Sequence, residues 1–267
     1  MTGDRTVGRG DFLPILRTMK SRIALLLAVP VLTGAFTACQ FLDATPAANS
    51  GFNPSTAPTK TRAEFVQQAW VDKAYRGKSV KDHFTAVYVA PVNTSHMSAQ
   101  SWWQQQTGAR KAELASDTKA LARRMQDQFK KNVANYPGNS FRLASGPGKD
   151  VLVVELALVE LVPSNAYWNA GATAAGFVVP GAGLLSAAGA GSIAIEGRLR
   201  DGSTNKVFAT FKDRRKDKVA PVNIGSYTWY HGAEGNIADW SSEFAELINT
   251  PPNHVVKRPS PVTLKPW

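Results

Sequence analysis

The side chains that could do chemistry in this sequence are few and scattered. His83, His96, His231 and His254 lie far apart, and none stands at i, i+4 spacing from another ligand, which a metal-binding helix would need. Glu155 and Glu160 in "DVLVVELALVELV" (residues 150–162) come nearest to a carboxylate pair, but an odd separation on a strand places them on opposite faces. "GAGLLS" (residues 181–186) approaches the G-x-G-x-x-G dinucleotide fingerprint. Ser186 stands in for its third glycine, Pro180 precedes it, and its first glycine lies 19 positions beyond Val162, where the preceding strand should end. G-x-S-x-G, H-E-x-x-H and the P-loop do not occur. No residue is therefore assigned to catalysis, to a cofactor or to a metal, and no enzyme activity is expected.

Two further clusters invite functional readings. "KDRRKDK" (residues 212–218) mixes signs and reads as solvated surface, with contact to an anionic partner as the alternative. "SWWQQQ" sets Trp102 and Trp103 among polar residues, and buried packing is expected there before a sugar-stacking platform.

The remaining reactive side chain is Cys39. It is the only cysteine, which excludes an intramolecular disulfide and a thiolate cluster. Before it, "MKSRIALLLAVPVLTGAFTA" has a short basic region, an apolar run over residues 23–36 and then small residues. Those 14 apolar residues span about 21 Å as a helix, short of the ~30 Å bilayer core, and have the length of a secretory signal's central region. Phe36-Thr37-Ala38-Cys39 resembles the bacterial lipobox, with Phe36 departing from the usual branched residue. Small residues fit a peptidase's narrow subsites. The thiol would carry diacylglycerol, and palmitate would add a further chain, because one chain alone anchors only marginally. The expected divisions are a signal peptide over 1–38 with the true start at Met19, a flexible tether over 39–62, a domain over 63–250 and a disordered proline-rich tail over 251–267. Gln40 is non-acidic, which in such lipoproteins goes with sorting to the outer membrane.

Composition sets the outer bounds. At 43% hydrophobic and 19% charged residues the chain is globular, and 267 residues suffice for a real core. Its formal charge is +11; five basic and two acidic residues lie in 1–38, leaving +8 for the remainder. Such a surplus favours anionic surfaces without choosing among them.

These side chains have to be positioned by elements the pattern also gives. "FTAVYVAPV" (residues 84–92) reads as a strand stopped by Pro91. Over residues 109–134, Leu114, Thr118, Leu121, Met125, Phe129 and Val133 recur at threes and fours, an amphipathic helix ended by "NYPGN". Residues 150–162 are apolar on both faces and read as a central strand. In "SIAIEGRLRDG" Ile193, Ile195 and Leu199 face in, while Glu196, Arg198 and Arg200 face out; "DGSTNK" then turns the chain into "VFATFKDRR". Ile237, Trp240, Phe244, Leu247 and Ile248 mark a last helix stopped by Pro251. Between the central strand and the hairpin lies an uncharged tract. Glycine or alanine fills 15 of the 25 positions over 170–194, and Pro163 and Pro180 interrupt it, so it reads as a tightly packed crossover rather than a membrane span. The fold expected is α+β, a mainly antiparallel mixed sheet covered by helices in a single domain.

"VYVAPV", "DVLVVELALVELVPS", the Gly/Ala tract, "AIEGRLRDGSTNKVFATFKDRR" and a closing Trp-containing helix resemble the lipoprotein family catalogued as domain of unknown function 3313, over roughly residues 64–248. The hairpin is the most specific part, with "STNK" where relatives tend to have Thr-Gly. The resemblance implies a bacterial lipoprotein with a small domain similar to the periplasmic domains of TolB-like and CsgG-like envelope proteins, and it implies no activity.

The expectation that follows is an exported lipoprotein, anchored on the periplasmic side of the outer membrane through Cys39, with a non-enzymatic role in envelope assembly or protein interaction. An oligomeric, secretion-associated envelope subunit and a cell-wall or glycan-active enzyme stand as alternatives. Expected partners are the membrane and an envelope protein or a second copy of the chain, not nucleic acid.

Overall fold

In a computed structural model of the chain the described residues are 2–3, 44–99, 107–162, 191–216 and 230–259. The strands, in chain order, are β1 (Gln68–Val71), β2 (Ala86–Val89), β3 (Arg142–Leu143), β4 (Val151–Val162), β5 (Ser192–Asp201) and β6 (Val207–Lys216). Among the described residues the α-helices are α1 (Gly108–Asn135) and α2 (His231–Asn249). Strand order across the single sheet is β1-β6-β5-β4-β2-β3. The β4-β5-β6-β1 part is antiparallel, whereas β2 runs parallel to both β4 and β3. This is an α+β arrangement, with β1 and β3 added to the strands legible in the sequence.

Local sequence explains where the elements stop. Tyr136 ends α1 in extended backbone because Pro137 follows, and Gly138 takes the left-handed conformation (φ 71°) that lets the chain reverse. At the other end of the fold Thr250 closes α2, its amide and its hydroxyl both donating to the carbonyl of Glu246, at 3.0 and 2.7 Å. The hairpin turn is held by the Asp201 carboxylate, which accepts from the amides of Ser203 and Thr204.

Both helices lie on one face of the sheet. Leu121, Met125 and Phe129 of α1 and Ile237, Trp240 and Phe244 of α2 meet Ile193, Ile195 and Leu199 in one core. The helices are joined by Asn132 to Ser241 at 2.7 Å, and the Phe129 and Phe244 rings stand 5.6 Å apart. No helix among the described residues is long and apolar enough to cross a membrane.

The second face is covered by chain that was expected to be a flexible tether. The compact unit begins at Ala44, not at Ala63. Residues 44–58 run as a strap over β4, β5 and β6, with Ala47 and Phe52 packed on Ala157, Val159 and Ala194. Glu196 accepts from the amides of Ser50 (2.9 Å) and Asn53 (3.0 Å), and the Arg198 guanidinium stacks 4.4 Å over the Phe52 ring. Composition misled here because the strap has a single large apolar side chain, Phe52, and its further bonds to the sheet run through backbone amides, which residue type does not declare. The proline-rich tail is likewise ordered as far as it is described: Val256 is buried and bridges Ala63, and Arg258 pairs with Asp213. Residues 260–267 lie outside the described residues.

Candidate functional site

One register shift changes the reading of the two glutamates. Glu155 stands opposite Arg198 and Glu160 opposite Ala194, with a bulge between Leu158 and Glu160. The extra residue restores parity, so Glu155 and Glu160 share the strap-covered face instead of occupying opposite ones. They remain separate in chemistry. Glu155 binds Arg198 and Arg200 (2.7 Å to the latter), while Glu160 binds Arg214 and the Ser192 hydroxyl (2.8 Å). A glycosidase needs two carboxylates facing an open cleft; these two are taken up by arginines beneath the strap.

"KDRRKDK" is also placed differently from expectation. Its first five residues continue β6, and Asp213, Arg214 and Arg215 are buried. Alternation sends Arg214 to the strap side and Asp213 and Arg215 beneath α2. There Asp213 accepts from Trp240 Nε1 (2.7 Å), from Arg215 Nε (2.8 Å) and from Arg258. Arg215 also donates to Glu243 (2.7 Å) and to the carbonyl of Phe65 (2.9 Å). Burial pushes the Glu243 carboxyl up to about 7, and the adjacent Arg215 offsets this only in part. This network anchors α2 to the sheet, and its charges are used up inside the fold.

At the β1–β6 end of the same face the covering consists of turns rather than helix. A cavity of about 390 Å³ lies there. Its walls are carbon: Phe65 and Val66 before β1, Phe84, Phe208 and Phe211 on the sheet side, and Phe244 from α2. Tyr75 and Phe84 both stack on Phe208, with ring centroids 4.3 and 5.6 Å away. The exposed residues of the lining are largely basic, Lys60, Arg76 and Lys78 with His83, against one acid, Glu64. Arg62 also lines it and binds the end of α2 through Thr250 Oγ1 (2.9 Å) and the carbonyls of Leu247 and Pro251. Burial lowers the Arg62 pKa, and Glu246 pulls it back up. The Ser79 hydroxyl is buried in the lining with no hydrogen-bond partner.

The other sequence candidates are not brought together. His96 bonds the Ser50 carbonyl through Nδ1 (2.9 Å), His254 bonds Glu246 (2.6 Å) and His83 lies beside Tyr75. Among the described residues no three of His, Cys, Asp and Glu converge as metal ligands. Cys39, Trp102, Trp103, the "GAGLLS" segment and most of the Gly/Ala tract lie outside the described residues. Sequence reasoning did not find the cavity, since stretches far apart in the chain line it. The buried Asp213 and Arg215 were within reach: continuing the β6 alternation from Ala209 and Phe211 places them on the core face.

The fold and its site define an α+β domain with one strapped sheet and a carbon-walled cavity. The profile of the family described as "Protein of unknown function (DUF3313)" matches residues 59–243, and the chain belongs to that family. No curated protein matches the sequence. Among solved structures, a PelC dodecamer from Paraburkholderia phytofirmans is similar at 12% identity and a TM-score of 0.32, covering 66% of this chain and 92% of that one. A second crystal form of that dodecamer has a TM-score of 0.30 at 12% identity, with 60% and 88% covered. A Xanthomonas campestris protein of the family DUF330 has a TM-score of 0.35 at 12% identity, with 73% and 95% covered. Similarity at this level carries nothing of their assembly over to this chain.

Proposed function

We propose that this chain is an exported lipoprotein, anchored through Cys39 to the periplasmic side of the bacterial outer membrane, whose domain serves envelope assembly or protein interaction without catalysis. The observation that carries the reading is how the ionisable groups are used. Glu155, Glu160, Asp213 and Glu243 each pair with arginine inside the fold, while the open cavity is walled by carbon. That is the arrangement of a scaffold and binding surface rather than of an acid–base site. The start of the compact unit at Ala44 supports anchorage at short range. Five residue steps from Cys39 reach at most about 18 Å, so a lipid there holds the domain close to the bilayer. The likeness to TolB-like and CsgG-like periplasmic domains belongs to the same reading.

Cys39→Ala tests the anchor. In fractionated cells the variant should leave the membrane or persist as an unprocessed, slower-migrating precursor. Unchanged membrane extraction and mobility would refute acylation. Crosslinking in intact cells, with identification of the captured envelope protein, tests the interaction role.

A further inference from the structure

We infer that the 390 Å³ cavity is a binding site for a single-chain anionic amphiphile, a fatty acid in the simplest case. The inference does not depend on acylation of Cys39.

Three observations converge on that chemistry. The walls take a hydrocarbon: Phe65, Phe84, Phe208, Phe211 and Phe244 present aromatic carbon, and Val255 at the lining is itself 40% exposed, an apolar residue left in water. The size takes one tail. At the roughly 30 Å³ that one water occupies in the liquid, 390 Å³ holds on the order of a dozen non-hydrogen atoms, too few for the paired tails of a membrane phospholipid. The polar groups take an anion. Lys60, Arg76 and Lys78 outnumber Glu64 among the exposed lining residues, and Ser79 is 5% exposed with its hydroxyl unpartnered. A buried hydroxyl without a partner is unfavourable unless a ligand oxygen completes it. A carboxylate near Lys78 would accept from that hydroxyl while its chain lies along the Phe84–Phe208 stack.

The test uses the full chain in neutral phosphatidylcholine nanodiscs and an analogue of decanoate, a fatty acid short enough for the cavity, carrying a photoactivatable diazirine in its tail. Labelled peptides are mapped by mass spectrometry. The expected adducts fall on the peptides carrying Phe65, Phe84, Phe208 and Phe244. Unlabelled decanoate should compete, whereas its methyl ester, with the same tail and no charge, should not. Reversing two exposed lysines together, Lys60→Glu with Lys78→Glu, should lower labelling by about five-fold or more with the circular dichroism unchanged. A larger wall residue, Ala209→Leu, should also reduce labelling, and its unfolding curve reports whether the fold survives. Labelling that ignores both headgroup charge and the lysine reversal overturns the proposal, as do adducts confined to other segments. So does a cavity that is labelled only after residues 260–267 are deleted, which would make the chain's own tail the occupant.

Discussion

Glu243 shows what a single buried carboxylate does to this fold. It lies at the centre of α2, 5% exposed, with Arg215 at 2.7 Å, and burial raises its pKa from 4.5 to about 7. An acid whose folded pKa is raised holds its proton more tightly in the native state than in the unfolded one. Unfolding between those two values releases a proton, so this group's contribution to stability falls as pH rises from about 4.5 to about 7 and stays low above that. Glu243→Gln keeps an acceptor for Arg215 but cannot ionise. The variant should match the parent near pH 4.5 and exceed it by roughly 1–3 kcal/mol at pH 8. Urea unfolding at both pH values checks this; parallel pH profiles for the two proteins would show that Glu243 does not titrate in this range.

At the scale of elements, cross-strand register decides which residues can be small. Gly197 faces Phe211 on the helix side of the sheet, and a Cβ placed on it would run into the Phe211 ring. The ring lies over the bare backbone where a side chain would otherwise stand. Gly197→Ala should cost about 1–3 kcal/mol by overpacking. Shortening the opposing ring in Gly197→Ala/Phe211→Leu should recover part of that loss. Thermal unfolding of both single variants and the double variant measures the coupling; strictly additive effects would mean the two positions do not share the space. The same register explains what the sequence conceals. The helices, the hairpin and the central strand are legible because apolar spacing is local to each of them. The bulge at Leu158/Glu160 leaves no mark in "LALVEL", yet it moves Glu160 to the face that Glu155 occupies. β1, four half-buried residues paired only with β6, offers too short a pattern to declare itself, and β3 has only two residues. Of these, β1 bears on the cavity, since β1 and the turns beside it line it.

For the molecule as a whole, the boundary matters most, because among the described residues a strap of low hydropathy covers the sheet face opposite the helices. Its removal should not be dominated by electrostatics. Water can replace the Ser50 and Asn53 amides at Glu196, and residues 44–58 carry no charged side chain. What water cannot replace is the carbon that Phe52 and Ala47 lay over Ala157, Val159 and Ala194. At about 25 cal/mol per Å² of apolar surface, loss of one partly buried aromatic and its neighbours amounts to roughly 2–4 kcal/mol. A chain beginning at residue 63 should therefore fold less stably by about that amount than one beginning at residue 44, and expose an apolar row on β4 and β5 that promotes self-association. Phe52→Ala in the longer chain should reproduce about half of the loss without the association. Urea unfolding with light scattering distinguishes the cases. Equal stability of the two lengths would mean that the strap rests on the sheet without holding it, and the domain would then begin where composition alone placed it.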